Sequence, residues 1–198
     1  MRSWIERATG LVVLITASPL LAVLALAVRL RMGRPVLFRQ ERLGRDEQPF
    51  VVLKLRTMTD ERDEDGRLLP DADRLTPLGR RLRATSLDEL PELWNVVRGE
   101  MAFVGPRPLP VAYHDRYTPE ERRRHDVLPG LTGWAQVNGR NAVDWDERLR
   151  LDVWYVEHRS LRLDLQIVRR TIGQVLRRDG ITGPDRVTMH ELPAGRVR

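Results

Sequence analysis

An uncharged apolar run from Leu11 to Val28 is the strongest pattern in the chain. As a straight helix it would rise roughly 27 Å, close to the thickness of a bilayer's hydrocarbon. Pro19 stands in its middle, where it removes a helical hydrogen bond and favours a kink. Ser18 can return a hydrogen bond to the carbonyl so freed. Arg2 and Arg7 precede the run, and Arg29, Arg31 and Arg34 follow it, so both flanks prefer the cytoplasmic side. A re-entrant helix–break–helix hairpin over residues 1–34, broken at Ser18-Pro19, meets both constraints. The alternatives are a spanning helix, a buried soluble helix, and a cleaved signal peptide ending near Ala25-Leu26-Ala27.

After this segment the pattern turns to strands. Residues 35–44 and 49–58 read as a β-hairpin around a turn at 44–48. In the second strand Val51, Leu53 and Leu55 share one face, and Lys54 and Arg56 share the other. Those two cations are either a phosphate contact or an ordinary solvated face. Thr76-Pro77 marks a helix start, with Leu75, Leu78 and Leu82 on one side and arginines around them, a surface suited to lipid headgroups. Thr118-Pro-Glu-Glu121 carries a capping box. A longer helix is expected over 144–158 and a last one over about 163–178, with Leu161, Leu165, Val168, Ile172 and Val175 at helical spacing. The fold class expected is therefore α+β and predominantly helical: a monotopic membrane protein whose residues 35–198 form one catalytic region on the membrane surface.

Charge refines this picture. Between Asp60 and Asp73 seven acids face Arg62 and Arg67, a local −5, so the rest of the chain carries about +11 of a total of +6. The acidic stretch reads as a solvated loop; its Asp71-Ala72-Asp73 is a weak match to the metal-binding Asp-x-Asp of nucleotide-sugar glycosyltransferases. A basic body suits nucleic acid, anionic lipid or phosphorylated small molecules. An apolar anchor that keeps the chain at a bilayer argues against nucleic acid. The chain has no cysteine, which excludes disulfides and thiolate metal sites.

The segment from Arg83 to Gly99 holds the best candidate chemistry. Ser86-x-x-Glu89 alone is a capping box, but Pro91 is comfortable only if the helix starts near Asp88. Asp88 and Glu89 would then occupy a helix's first turn, where ionised carboxylates and a metal-bound phosphate are favoured. Adjacent carboxylates suit helix capping, or a nucleophile and a metal ligand in chemistry at phosphate. Arg107 lies between Pro106 and Pro108, a stiff mount for a guanidinium. The run 129–141 is glycine-punctuated and offers Asn138, Arg140 and Asn141 as donors.

Together, Ser18-Pro19, Lys54-Leu-Arg-Thr-Met58, Ser86-Leu-Asp-Glu-Leu90, Val104-Gly-Pro-Arg-Pro108, Pro129-Gly-Leu-Thr-Gly-Trp-Ala-Gln-Val-Asn-Gly-Arg-Asn141 and Leu151-Asp-Val-Trp-Tyr155 resemble the bacterial sugar transferases, specifically the small monotopic phosphoglycosyl transferases. The chain also ends soon after these motifs, as the small members do. The resemblance implies a cytoplasmic-face enzyme of the bacterial inner membrane that moves a sugar-1-phosphate from a UDP-sugar to polyprenyl phosphate and releases UMP. It implies Asp88 as nucleophile, Glu89 as its dyad partner, and Mg²⁺ held by Asp88 and Glu89. Lys54, Arg83, Arg107, Asn138, Arg140 and Asp152 fall at substrate-binding positions. The competing readings are a non-catalytic adaptor on anionic lipid, and a metal-dependent glycosyltransferase that releases UDP.

Overall fold

The computed structural model of the chain describes residues 2–139, 143–177 and 191–195. Arg2–Met32 form one α-helix, α1, which continues through Pro19. The break expected at Ser18-Pro19 is thus not an interruption of the helix. Pro19 cannot donate to the Ile15 carbonyl, and the Ser18 hydroxyl donates to it instead at 2.7 Å. That substitution lets the helix pass a proline with its backbone satisfied.

One stripe of α1, including Leu21, Leu24, Ala25, Val28 and Met32, packs on Leu55 and Leu82. Nearer the amino end, Gly10 lies against Val96, and the Arg7 guanidinium donates to the Val97 carbonyl at 2.8 Å. Both ends of α1 therefore grip the same body. The opposite stripe, Val12, Ile15, Val23 and Leu26, is exposed. The helix is long and apolar enough to cross a membrane, with a mean hydropathy of 2.7 over a window that is only 6% buried.

β1 (Leu37–Leu43) and β2 (Pro49–Leu55) form the expected antiparallel hairpin. β2 ends before Arg56, which is not a phosphate contact on the strand face: its guanidinium donates to the carbonyls of Met32, Arg34 and Met58 and pairs with Asp60. The acidic stretch is mostly loop and closes on a short helix, α2 (Asp71–Arg74), in which Asp71 is paired with Arg74 at 2.5 Å. α3 (Pro77–Ala84) is capped by Thr76, whose hydroxyl accepts from Gly79 N at 2.9 Å. Its leucines and Leu75 before it turn inward, with Leu75 and Leu82 buried and Leu78 against the α1 cluster.

Leu87–Glu92 form a 3₁₀ helix that leads into α4 (Leu93–Arg98). β3 (Ala102–Val104) pairs in parallel with β4 (Gly130–Thr132). The glycines here serve a backbone crossing: a Cβ on Gly130 would lie 2.1 Å from Gly105 N. Between these strands come a 3₁₀ turn over Val111–Arg116, the capping-box helix α5 (Pro119–Arg122), and a 3₁₀ turn over Arg123–His125. α6 (Trp134–Val137) follows β4, and α7 (Trp145–His158) is capped by Asp144, which accepts from Glu147 N at 2.8 Å.

The last expected helix is α8 (Leu161–Arg177). Leu163, Asp164 and Ile167 point into the core, whereas Leu161 and Leu165 are each 70% exposed and Ile172 55% exposed. A stripe at helical spacing has the same period whether it meets a core or another medium, and of the spaced residues Val168 packs on the core.

Candidate active site

The reactive segment does not begin an α-helix. Ser86 sits in the left-handed region (φ 55°) with no side-chain cap bond, so the capping box is absent. The 3₁₀ form of Leu87–Glu92 matters because side chains three apart eclipse one another. Glu89 and Glu92 consequently share one side, and both reach Lys54 of β2: its ammonium lies 2.6 Å from Glu89 Oε1 and 3.1 Å from Glu92 Oε1. Arg107, between its two prolines, reaches the same Glu89 Oε1 at 2.5 Å. Burial alone would raise the Glu89 carboxyl, but Arg107 and Lys54 outweigh it and hold that group well below the usual carboxylate range. Two side-chain cations, rather than the dipole of a first helical turn, keep Glu89 ionised.

Asp88 differs from its neighbour. It is buried to 7% exposure, yet its carboxylate has no hydrogen bond or ion pair among the described residues. Burial and then the Glu89 charge push its pKa up, against the opposing pull of Lys54, Arg83 and Arg107. Arg83, whose Nε donates to Thr57 Oγ1 at 3.0 Å, approaches from the end of α3. The dyad is therefore asymmetric, with one carboxylate clamped and the other unencumbered.

Asp88, Glu89, Lys54, Arg83, Arg107 and Asp152 all line a single open cleft of about 1540 Å³. Arg42 and Arg148 line it too, and burial lowers each guanidinium to about 10. A cleft with so many cations suits a ligand carrying several negative charges. Its far wall is apolar, with Leu131, Val168, Ile172 and Val175, and also carries Gln136. Both amide atoms of Gln136 are buried without a partner among the described residues. Asn138 is not part of this cleft; it is exposed at the end of α6, donating to the Trp134 carbonyl at 2.9 Å and accepting from Arg170 at 3.1 Å. Arg140 lies outside the described residues.

The carboxylates fit a particular kind of metal site. Both cations meet Oε1 of Glu89, which leaves Oε2 and the Asp88 carboxylate without hydrogen-bond or ion-pair partners among the described residues. No group of three or more metal-binding side chains occurs among the described residues. Two carboxylates without a full protein cage match Mg²⁺, which commonly takes one or two and completes its shell with water and substrate phosphate.

The residues that sequence reading missed are Glu92, Arg42, Arg124 and Arg148. Arg124 is almost fully buried against Asp152, but in the sequence it stands inside Arg122-Arg123-Arg124-His125, which reads as a solvated basic run.

Residues 1–178 match the bacterial sugar transferase family. An uncharacterized sugar transferase of Bacillus subtilis (strain 168), EpsL, is 53% identical over 161 residues, which cover 81% of this chain and 80% of that protein. The chain belongs to the bacterial sugar transferase family. Within that family, the UDP-glucose:undecaprenyl-phosphate glucose-1-phosphate transferase of Caulobacter vibrioides is 46% identical over 174 residues, covering 82% of this chain and 64% of that one. The undecaprenyl-phosphate galactose phosphotransferase of Salmonella typhimurium is 39% identical over 189 residues, covering 86% of this chain and 39% of its own length. This bacterial sugar transferase thus spans most of the Bacillus relative but less than two thirds of the other two.

Proposed function

We propose that this chain transfers a sugar-1-phosphate from a UDP-sugar to undecaprenyl or another polyprenyl phosphate, with release of UMP, through a phosphosugar carried on Asp88. The observation that carries the reading is the asymmetry of the dyad: Asp88 lines the cleft with no hydrogen bond or ion pair among the described residues, while Glu89 beside it is fixed by Lys54 and Arg107. A nucleophile needs free lone pairs, and a group that orients a cation needs a fixed position.

In this reading Lys54, Arg83 and Arg107 receive the diphosphate and offset its repulsion from the Asp88 carboxylate. An Asp88 oxygen attacks the β-phosphorus, the bond from that phosphorus to the bridging oxygen breaks, and UMP leaves with the electron pair. An oxygen of the polyprenyl phosphate then attacks the same phosphorus, and the bond to Asp88 breaks and restores the carboxylate. No proton need be gained or lost. Mg²⁺ would be held by Asp88 and Glu89 and would supply further neutralisation of the phosphate charge. Gln136 offers a paired donor and acceptor to a base or sugar.

The acceptor's phosphate lies at headgroup level, so the site must meet a bilayer. The exposed apolar stripe of α1 supports insertion into one leaflet, and the hold of the body on both Arg7 and Val28 supports a re-entrant course. A spanning helix would carry one of those ends across the bilayer. Basic flanks on both sides favour a body at the cytoplasmic face of the inner membrane.

The test is product analysis on the protein in detergent or nanodiscs, with a panel of UDP-sugars and undecaprenyl phosphate. UMP is expected, and Asp88→Asn should abolish its release. UDP as the product would instead select the glycosyltransferase reading, and no product from any donor would select the adaptor.

A further inference from the structure

Arg107 is aimed by its backbone, and its backbone is tied at successive carbonyls. The Pro106 carbonyl accepts from Gly130 N at 2.9 Å, and the Leu109 carbonyl accepts from Leu43 N at 2.9 Å. The Pro108 carbonyl accepts from Arg42 at 3.2 Å. The carbonyl of Arg107 itself accepts from Arg124 Nη2 at 2.7 Å. Arg124 is in turn held by Asp152 of α7, whose Oδ2 takes both Nε at 3.2 Å and Nη2 at 2.7 Å. The two side chains of this pair are 1% and 2% exposed.

A buried ion pair is a poor way to stabilise a fold, because desolvating both charges offsets most of their attraction. Asp152, an anion, is also a poor direct contact for phosphate. What the pair does supply is direction. Asp152 fixes the plane of the Arg124 guanidinium, and that guanidinium fixes the Arg107 carbonyl, two bonds from the Cα that carries the side chain meeting Glu89.

We propose that Arg124, oriented by Asp152, is a positioning residue that sets Arg107, and through it Glu89, for the phosphate chemistry. This inference rests on the function proposed above only for its kinetic readout. Asp152 borders the cleft, but its side chain is 2% exposed and acts through Arg124.

The test is a double-mutant cycle on the full chain in nanodiscs, read as kcat and KM for UMP release, together with hydrogen exchange at the amides of Gly105, Arg107 and Leu109. Arg124→Lys keeps the charge but loses the planar fork. It should lower kcat by about 10- to 100-fold with a small change in KM, as misplacement of a catalytic group does. In an Arg107→Ala background the same change should cost less than about 2-fold, because coupled residues are not additive. Costs that multiply in the two backgrounds would overturn the proposal, since they would mean that Arg124 acts on substrate directly or only on the fold. Should Arg124→Lys fail to fold, Asp152→Asn enters the same cycle with the same expectations. If the wild-type chain releases no UMP, the function has failed and exchange alone decides this inference: faster exchange at the three amides in the variant supports it, and unchanged exchange overturns it.

Discussion

Replacing Glu92 by glutamine tests the electrostatics of the cleft with a magnitude that the structure supplies. Glu92 is 2% exposed, and among the described residues it is paired with a Lys54 ammonium that Glu89 also holds. Burial raises its pKa from 4.5 to about 6; the Glu89 charge adds to the rise, and Lys54 and Arg107 oppose it. The folded chain therefore keeps a proton that the unfolded chain gives up between those two values. Stability must fall as pH rises through that window, because the folded state binds the more protons. A displacement of roughly 1.5 pH units corresponds to about 2 kcal/mol. Glutamine has the same shape and no titration, so Glu92→Gln lacks this loss. Urea unfolding of wild type and variant, followed by circular dichroism in detergent at pH 4.5 and pH 7, gives the comparison. Relative to the variant, the wild type should weaken by about 2 kcal/mol between the two conditions. An unchanged difference would refute the burial argument, and an opposite sign would mean that Lys54 stabilises ionised Glu92 more than burial opposes it.

Three further substitutions test the same structure. The Asp88 carboxylate must be ionised to attack, so kcat/KM should fall in acid as pH drops through a pKa raised above 3.8; Glu89→Gln should move that acid limb to lower pH, because it removes a charge that raises Asp88, and an unmoved limb would show that Asp88 is not the titrating group. Gly130→Ala drives a Cβ to 2.1 Å from Gly105 N and 2.4 Å from the Thr132 carbonyl, backbone atoms that cannot swing aside, and should cost at least about 1–3 kcal/mol in unfolding measurements. Gly173→Ala in α8 meets nothing within 4 Å and should instead gain about 1 kcal/mol; equal effects at the two glycines would contradict the close crossing of β3 and β4.

Local chemistry made much of this fold legible. Thr76, Thr118 and Asp144 are oxygen caps followed by proline or acidic residues, and each caps a helix in the structure. The β-hairpin and the repair of Ser18 beside Pro19 are equally local. The segment around Asp88 was harder to read, because a 3₁₀ helix has a period of three rather than 3.6. Its sequence looked like a capped α-helix, and only the observed period explains why Glu89 and Glu92 meet one lysine. Arg56, Arg124 and Arg42 could not be sorted from the chain's other arginines. Whether an arginine is solvated, tied to backbone carbonyls or paired in the interior depends on contacts made across the fold, as between Arg124 and Asp152, 28 positions apart. The outward stripe of α8 is the same problem in reverse, since periodicity reports a face but not what covers it.

The Asp88 carboxylate, which no described residue pairs, lies in a basic cleft and is the central reactive group of the proposed function. Incubating the protein with a UDP-sugar labelled in the β-phosphate, denaturing it before acceptor is added, and locating the label by peptide mass spectrometry addresses this directly. The prediction is a phosphosugar on the peptide that contains Asp88, lost when undecaprenyl phosphate is supplied and absent from Asp88→Asn. Label retained by that variant, or UMP formed by a protein that never becomes labelled, would contradict it.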